Sequence, residues 1–191
     1  MRGNKVVLFL PIAVMIGLFV FGYFSFTEPD SITQEEMQDS TEFDHEVSGN
    51  RLEVYWQWND YPDDGVVGDD YIELIAVDED PANLQEEIEN VQLELHHADE
   101  VIYESSDWVE TEDGVVVSFP NEMQQEAIYG ASGEVHFDFA DAETAEGISL
   151  VYYHTWQDGE VEPAADKTME EALEESVVTQ WWTLEDEVPE E

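Results

Sequence analysis

Hydrophobic and polar positions alternate in short runs between residue 51 and residue 184. Side chains two positions apart share a face of a β-strand, so each run predicts a strand with one apolar and one polar face. Further short apolar runs lie at 71–77, 101–104, 148–156 and 178–184. The clearest alternating sets are Leu52, Val54, Trp56 and Trp58; Val91, Leu93 and Leu95; Val115, Val117 and Phe119; and Val135, Phe137 and Phe139.

Turn-forming pairs separate these runs. Ala98-Asp99, Asp113-Gly114 and Asp158-Gly159 have the composition of hairpin turns. Seven or eight short strands in about 135 residues predict a mainly β fold, an antiparallel β-sandwich of immunoglobulin-like or fibronectin-like build. A jelly roll or a small barrel is the alternative.

Two or three short helices are expected between the strands. Asp80 can cap a turn that begins at Pro81, and Asp166 can cap a helix over 167–175. The stretch 83–95 fits either a helix or a strand, because its apolar residues also recur at helical spacing.

An uncharged run of 21 residues, from Val6 to Phe26, precedes the predicted domain. As a helix it would reach about 30 Å, which matches the hydrocarbon core of a bilayer. Arg2 and Lys5 lie before it and acidic residues follow it, so the positive-inside rule puts the N-terminus in the cytoplasm and the rest outside. A cleaved secretory signal is the alternative, and it would export the same domain.

Acidic polar segments flank the predicted domain and show no sustained period. They are typical of solvated spacers and tails. The predicted order is a cytoplasmic N-terminus at 1–5, a transmembrane anchor at 6–26, an acidic tether at 27–50, an extracellular domain at 51–184 and an acidic tail at 185–191.

The charge of the chain is extreme, with 49 Asp plus Glu against 4 Lys plus Arg and a net charge of −45. This excludes binding to a nucleic-acid backbone, which basic residues hold. The absence of cysteine excludes disulfides and thiolate metal sites. A hydrophobic content of 42% predicts a packed core. Such an exterior suits a saline or alkaline medium, where inorganic cations act as counterions.

Carboxylates concentrate in the loop after the first predicted strand. Calcium prefers several carboxylate and carbonyl oxygens, so this loop predicts an irregular calcium site. The EF-hand pattern does not fit, because Pro62 and Tyr71 occupy ligand positions, and loose counterion condensation is the alternative. The candidate ligands are Asp60, Asp63, Asp64, Asp69 and Asp70.

The tryptophans include two pairs with different expectations. Trp56 and Trp58 share a strand face with aliphatic residues, which predicts core packing rather than a sugar-stacking platform. Trp181 and Trp182 are adjacent, so their side chains should face opposite ways. That arrangement makes the second pair a candidate contact for carbohydrate or a protein partner.

Histidines raise the question of a transition metal. His136 shares a strand face with Glu134 and Asp138, and imidazole with carboxylates can bind zinc. The same alternation predicts that this face meets solvent, where acidic neighbours are expected by chance. His96 and His97 face opposite ways and cannot chelate as a pair without a bulge.

Catalytic signatures are poor. Residues 130–133 (GASG) lack the G-x-S-x-G spacing of a nucleophile elbow. We therefore expect no enzyme and no cofactor other than calcium. The expected function is that of a single-pass membrane protein presenting an extracellular binding or accessory module of the cell envelope, with a membrane-complex or cell-wall partner. The alternative is a secreted soluble domain that binds cell-wall carbohydrate or a divalent metal.

Overall fold

The computed structural model describes residues 14–15, 32–62, 65–77, 81–124, 127–142 and 147–189. The folded unit discussed below is Ile32–Glu191. The predicted anchor at 6–26 lies outside the described residues except for positions 14 and 15. No helix among the described residues is long and apolar enough to cross a membrane.

The described residues of this unit form twelve strands and three short helices. In chain order they are α1 (Gln34–Ser40), β1 (Thr41–Ser48), β2 (Arg51–Trp58), β3 (Asp69–Ala76), α2 (Pro81–Glu87), β4 (Ile88–His97), β5 (Glu100–Ser105), β6 (Val109–Glu110), β7 (Gly114–Pro120), β8 (Met123–Gln124), β9 (Ala127–Ile128), β10 (Ser132–Phe139), β11 (Ile148–Thr155), α3 (Met169–Glu175) and β12 (Trp181–Val188).

The strands make two five-stranded sheets and one small ribbon. Sheet 1 has the order β1-β2-β10-β4-β5, sheet 2 has the order β12-β11-β3-β7-β6, and β8 pairs with β9. The pairs between these strands are antiparallel. The prediction of a mainly β fold with antiparallel sheets and two or three short helices is confirmed.

One apolar core contains side chains from both sheets. The ring of Trp56 on β2 stacks on Phe119 of β7, with centroids 4.6 Å apart. Trp56 and Trp58 are 2% and 1% exposed, so the prediction that they pack in the core is confirmed. Their indole N–H groups are satisfied as well: Trp56 Nε1 donates to the carbonyl of Gly130 and Trp58 Nε1 to the hydroxyl of Tyr152.

A second apolar cluster covers the other face of sheet 2. Met169 and Leu173 of α3 are buried there against Tyr71 and Tyr153. Sheet 2 is therefore covered on both faces around β3 and β11, which explains why residues 148–156 read as a nearly continuous apolar run.

Helix α3 begins two residues later than the sequence predicted. Thr168, not Asp166, is its N-cap: the Thr168 hydroxyl accepts a hydrogen bond from the backbone N–H of Glu171, and the Glu171 side chain accepts one from Thr168 N. This reciprocal pair is a capping box, which stabilises the first turn of a helix.

The fold differs from the sequence expectation at 27–50, because α1 and β1 occupy most of the segment predicted as a tether. Thr33 and Glu36 form a capping box at the start of α1, and Met37 is fully buried. Strand β1 pairs with β2 along its whole length. At the other end β12 extends to Val188, beyond the predicted boundary at 184.

Candidate functional site

A set of polar side chains is enclosed at one end of sheet 2. Asp70 lies at the start of β3, Tyr152 and His154 lie on β11, and Asn121 follows β7. These four residues are 0% exposed, and Gln34 of α1 is 4% exposed. The five residues are called the buried polar cluster below.

Asp70 accepts four hydrogen bonds in this cluster. Its Oδ2 accepts from the Tyr152 hydroxyl at 2.5 Å and from His154 Nδ1 at 3.0 Å. Its Oδ1 accepts from Asn121 Nδ2 at 2.9 Å and from the backbone N–H of Thr155 at 3.0 Å. Two contacts on each oxygen fill the acceptor capacity of the side chain, so the Asp70 carboxyl group is fully satisfied.

His154 is held between two acceptors. Its Nδ1 faces Asp70, and its Nε2 lies 3.0 Å from Gln34 Oε1. The Gln34 amide is oriented by its own Nε2, which donates to the carbonyl of Gly65 at 2.9 Å. Both ring nitrogens lie within hydrogen-bonding distance of a side-chain oxygen, and these two contacts fix the orientation of the His154 ring.

Aromatic rings surround the His154 imidazole. The Trp58 ring meets His154 edge-on at 5.0 Å, and the Trp182 ring lies 4.7 Å from it. Trp182 also donates its Nε1–H to the backbone carbonyl of Gln34 at 2.8 Å. These rings exclude solvent from the imidazole and hold it beside Asp70.

The Asp70, His154 and Tyr152 side chains have the chemistry of an acid–base set but offer no access to a substrate. Burial raises the pKa of Tyr152 well above its usual value, and the charge of Asp70 raises it further. A catalytic acid or base must reach the proton that it moves. The enclosed side chains of this cluster cannot reach a substrate. Their hydrogen bonds instead connect α1, β3 and β11.

Glu73 is a second enclosed carboxyl, on the face of sheet 2 that α3 covers. It accepts hydrogen bonds from the hydroxyls of Thr111, at 2.8 Å, and Tyr153, at 2.9 Å. Burial raises the pKa of Glu73, and these hydrogen bonds oppose that shift. The enclosed position of Glu73 beneath α3 therefore favours the protonated form of its carboxyl group.

The predicted calcium ligands are separated in the structure. Asp70 belongs to the buried polar cluster, whereas the side chains of Asp69 and Asp60 are exposed. Neighbouring atoms remove part of the hydration of the Asp69 carboxyl, and this desolvation, followed by the charge of Asp70, raises its pKa. Asp63 and Asp64 lie outside the described residues. The calcium site stays a prediction, with Asp60 and Asp69 as the described carboxylates still available for it.

Trp181 and Trp182 face opposite ways, as predicted. Trp182 is buried in the main core, whereas Trp181 is half-buried and packs against Tyr153 on the other face of sheet 2, with centroids 6.1 Å apart. A cavity of about 250 Å³ adjoins Trp181 and is also lined by Glu170 and Glu185. Of these two residues, Trp181 is therefore the one that a carbohydrate or a protein partner could contact.

Histidines and carboxylates also meet on the outer face of sheet 1. Glu94 and His96 of β4 lie beside Glu134 and His136 of β10. These four residues are called the histidine–carboxylate group below. Glu134 Oε1 lies 3.3 Å from His136 Nε2 and 3.9 Å from His96 Nε2. Imidazole with carboxylate is a donor set suited to zinc and related divalent ions.

This group differs from the one that the sequence suggested. Asp138, expected beside His136 and Glu134, forms a bidentate ion pair with Arg51 at 2.6 and 3.0 Å. The hydrogen bond from Arg51 lowers the pKa of Asp138. Glu94 is directly opposite Glu134 in the pairing of β4 with β10. Sequence alternation predicted that His136 and Glu134 share one face. Only the strand register shows that Glu94 and His96 of β4 lie beside them.

A further histidine joins the edges of the two sheets. His45 Nδ1 of β1 lies 2.6 Å from Asp186 Oδ2 of β12. Asp44 is close enough for the three side chains to surround a cation. No sequence pattern indicated this pair, because His45 fell in the predicted tether and Asp186 in the predicted tail.

The chain matches no known family model, and neither a characterised protein nor a solved structure is significantly similar to it.

Proposed function

We propose that the two five-stranded sheets form a β-sandwich of immunoglobulin-like or fibronectin-like build. The order β1-β2-β10-β4 repeats the neighbour order A-B-E-D of an immunoglobulin constant-type sandwich, and β3-β11-β12 repeats its C-F-G order. In this proposal β5 to β9 are an insertion between the fourth and fifth strands. The shared core between the sheets supports the same proposal.

We propose further that this domain is a non-enzymatic binding or accessory module of the cell envelope. One observation carries the proposal: Asp70, His154 and Tyr152, which have acid–base chemistry, are fully enclosed. The histidine–carboxylate group and the Trp181 cavity, in contrast, lie at the surface. An enclosed acid–base set cannot reach a substrate, whereas side chains at the surface can contact a partner.

The proposal includes an anchor at 6–26 with the N-terminus in the cytoplasm and the domain outside. It is supported by the length of the apolar run and by the position of Arg2 and Lys5 before it. Membrane fractionation tests it, because an anchored chain stays with the membranes after alkaline washing. Protease added to intact cells should remove the domain, and survival of the domain would contradict the orientation.

The partner of an accessory module should accompany it through purification. We expect the 191-residue chain, extracted from its native membranes in mild detergent, to elute as a complex larger than the chain alone. Glu53→Gln combined with Glu94→Gln changes the outer face of sheet 1 and should weaken the complex, whereas Glu110→Gln on β6 serves as an exposed control. A lone chain in every preparation would contradict the proposal.

The second candidate is a secreted soluble domain that binds cell-wall carbohydrate or a divalent metal. The half-buried indole of Trp181 beside a polar cavity favours the carbohydrate version, since sugars stack on aromatic faces between hydrogen-bonding groups. A glycan array separates the candidates. Binding that Trp181→Ala abolishes supports the second, and an array without signal opposes it.

A further inference from the structure

Glu94, His96 and Glu134 meet where β4 pairs with β10 on the outer face of sheet 1. Glu94 and Glu134 are directly opposite each other in the register, and His96 follows two positions after Glu94 on the same strand. One potential ligand atom from each side chain lies within 4.8 Å of the other two. Zinc binds imidazole and carboxylate at about 2.0–2.2 Å, so small side-chain rotations would bring all three atoms onto one ion.

His96 supplies an observation that is independent of the acidic composition. Its Nε2 is enclosed and has no hydrogen-bond partner among the described residues. The nearest carboxylate oxygen, Oε1 of Glu134, is 3.9 Å away. That separation is too long for a hydrogen bond but suits two ligands that flank one ion. An enclosed polar nitrogen without a partner is unfavourable, and a bound metal would satisfy it.

His136 orients the carboxylate between the two histidines. Its Nε2 lies 3.3 Å from the same Oε1 of Glu134, and its Nδ1 lies 3.6 Å from Oε1 of Glu53. A side chain that contacts a ligand from outside the metal's own shell fixes the geometry of that ligand. His136 is thus a positioning residue for Glu134.

We propose that Glu94, His96 and Glu134 bind one divalent transition-metal ion of the zinc class. Calcium is a poorer fit, because it takes six to eight oxygen ligands and no imidazole. Three protein ligands leave a coordination position for water or for a donor from another molecule. A cavity of about 420 Å³, lined by His96 with Gln57 and Ser132, adjoins the site on this face. The inference depends on neither the membrane anchor nor the partner of the proposed function.

Calorimetric titration of the 191-residue chain with zinc chloride, in mild detergent, tests the proposal. Excess calcium and about 0.5 M NaCl suppress general counterion binding. We expect one zinc equivalent to bind, and His96→Gln to weaken its affinity at least about tenfold. His97→Gln is the matched control, because His97 is the adjacent exposed histidine and is not one of the three ligands. It should leave the affinity unchanged.

Cobalt(II) gives a second readout, since its visible absorption reports a low-symmetry site with a nitrogen ligand. The absorption should appear with one cobalt equivalent, decrease when zinc is added, and be absent in Glu94→Gln and Glu134→Gln. Circular dichroism shows whether each variant folds, and Glu94→Gln replaces His96→Gln if the latter does not. Three results would overturn the proposal: no binding in excess calcium, equal losses in His96→Gln and His97→Gln, or loss in His45→Gln alone, which would put the metal at the Asp186 pair.

Discussion

The Asp70 carboxylate and the His154 imidazole lie 3.0 Å apart, and neither side chain is exposed to solvent. Gln34 Oε1 lies 3.0 Å from the other ring nitrogen of His154, so these contacts link the first helix of the folded unit to sheet 2. Removing one partner of an enclosed hydrogen-bonded pair leaves polar groups in the core without a partner. The stability of the domain should therefore depend strongly on this contact.

Asp70→Asn is expected to lower the free energy of unfolding by about 3–5 kcal/mol, because it turns one acceptor oxygen into a donor and leaves two enclosed donors unsatisfied, at about 1–3 kcal/mol each. Asp69→Asn is the matched control one position earlier, where the side chain is exposed. It should change stability by less than about 0.5 kcal/mol. Urea unfolding followed by tryptophan fluorescence measures both. Similar losses in the two variants would contradict the role of the pair.

The free energy of unfolding should depend on pH through Glu73, and the Glu73→Gln variant should lack this part of the dependence. Burial raises the pKa of Glu73 in the folded state, so its contribution is full below the unfolded value and is lost as pH rises through the folded value. The stability of Glu73→Gln relative to the unchanged chain should therefore increase from about pH 4 to about pH 8.

The control for this comparison is Glu110→Gln, at an exposed position on β6. Its stability relative to the unchanged chain should be nearly constant over the same pH range. Thermal melts at matched ionic strength measure both differences. If the stability of Glu73→Gln relative to the unchanged chain stays constant or falls with pH, burial does not disfavour the ionised form of the Glu73 carboxyl.

Substitution of Trp182 should lower stability more than substitution of Trp181, because Trp182 lies in the core and Trp181 is half-buried at the surface. Trp182→Ala removes a buried indole that touches His154 and donates to the Gln34 carbonyl, and it should cost about 3–5 kcal/mol. Trp181→Ala should cost less than about 2 kcal/mol, because that indole is only half-buried. Chemical unfolding of the two variants checks the order, and a larger loss at Trp181 would reverse the assignment.

The start of the folded unit can be tested by shortening the chain. A chain that begins at Ile32 should melt cooperatively, whereas one that begins at Arg51 lacks α1 and β1. The shorter chain loses the buried Met37 and leaves His154 Nε2 without its Gln34 partner. We expect it to lose near-ultraviolet circular dichroism. Equal melting temperatures for the two chains would support a tether over 27–50.

The acidic exterior should make stability depend on salt. From about 10 mM to about 1 M NaCl the Debye length falls from about 30 Å to about 3 Å, so repulsion among the carboxylates is screened. The melting temperature should rise over this range, and a flat series would remove the argument for a saline habitat. An additional rise on adding millimolar calcium at high salt would indicate an ordered calcium site.

Alternation predicted strands such as β2 and β10 well because only one face of each is buried. Leu52, Val54, Trp56 and Trp58 are all enclosed, as their spacing indicated. The prediction was weaker at β1, where Phe43 is only partly enclosed and Val47 is exposed at a sheet edge. Its apolar face is completed by Tyr152 from sheet 2, which packs 5.9 Å from the Phe43 ring. No local pattern carries that information.

The candidate sites depended still more on long-range pairing. Glu134 and His136 are visible as neighbours in the sequence, but Glu94 and His96 reach them only through the register of β4 with β10. The capping-box pattern Thr33 to Glu36 was a local signal that could have revealed α1. This pattern predicts a helix that starts after Thr33, and therefore a domain that begins before residue 51.

The contacts of Gln34 also bear on the order in which the polypeptide can acquire its structure during synthesis. Its hydrogen-bond partners at His154 and Trp182 lie 120 and 148 positions later in the chain. Contacts over such separations form slowly, because a long loop must close before they are made. Helix α1 therefore emerges from the ribosome long before its docking site exists. The dense negative charge helps the unfinished polypeptide to remain dispersed until the last strand arrives.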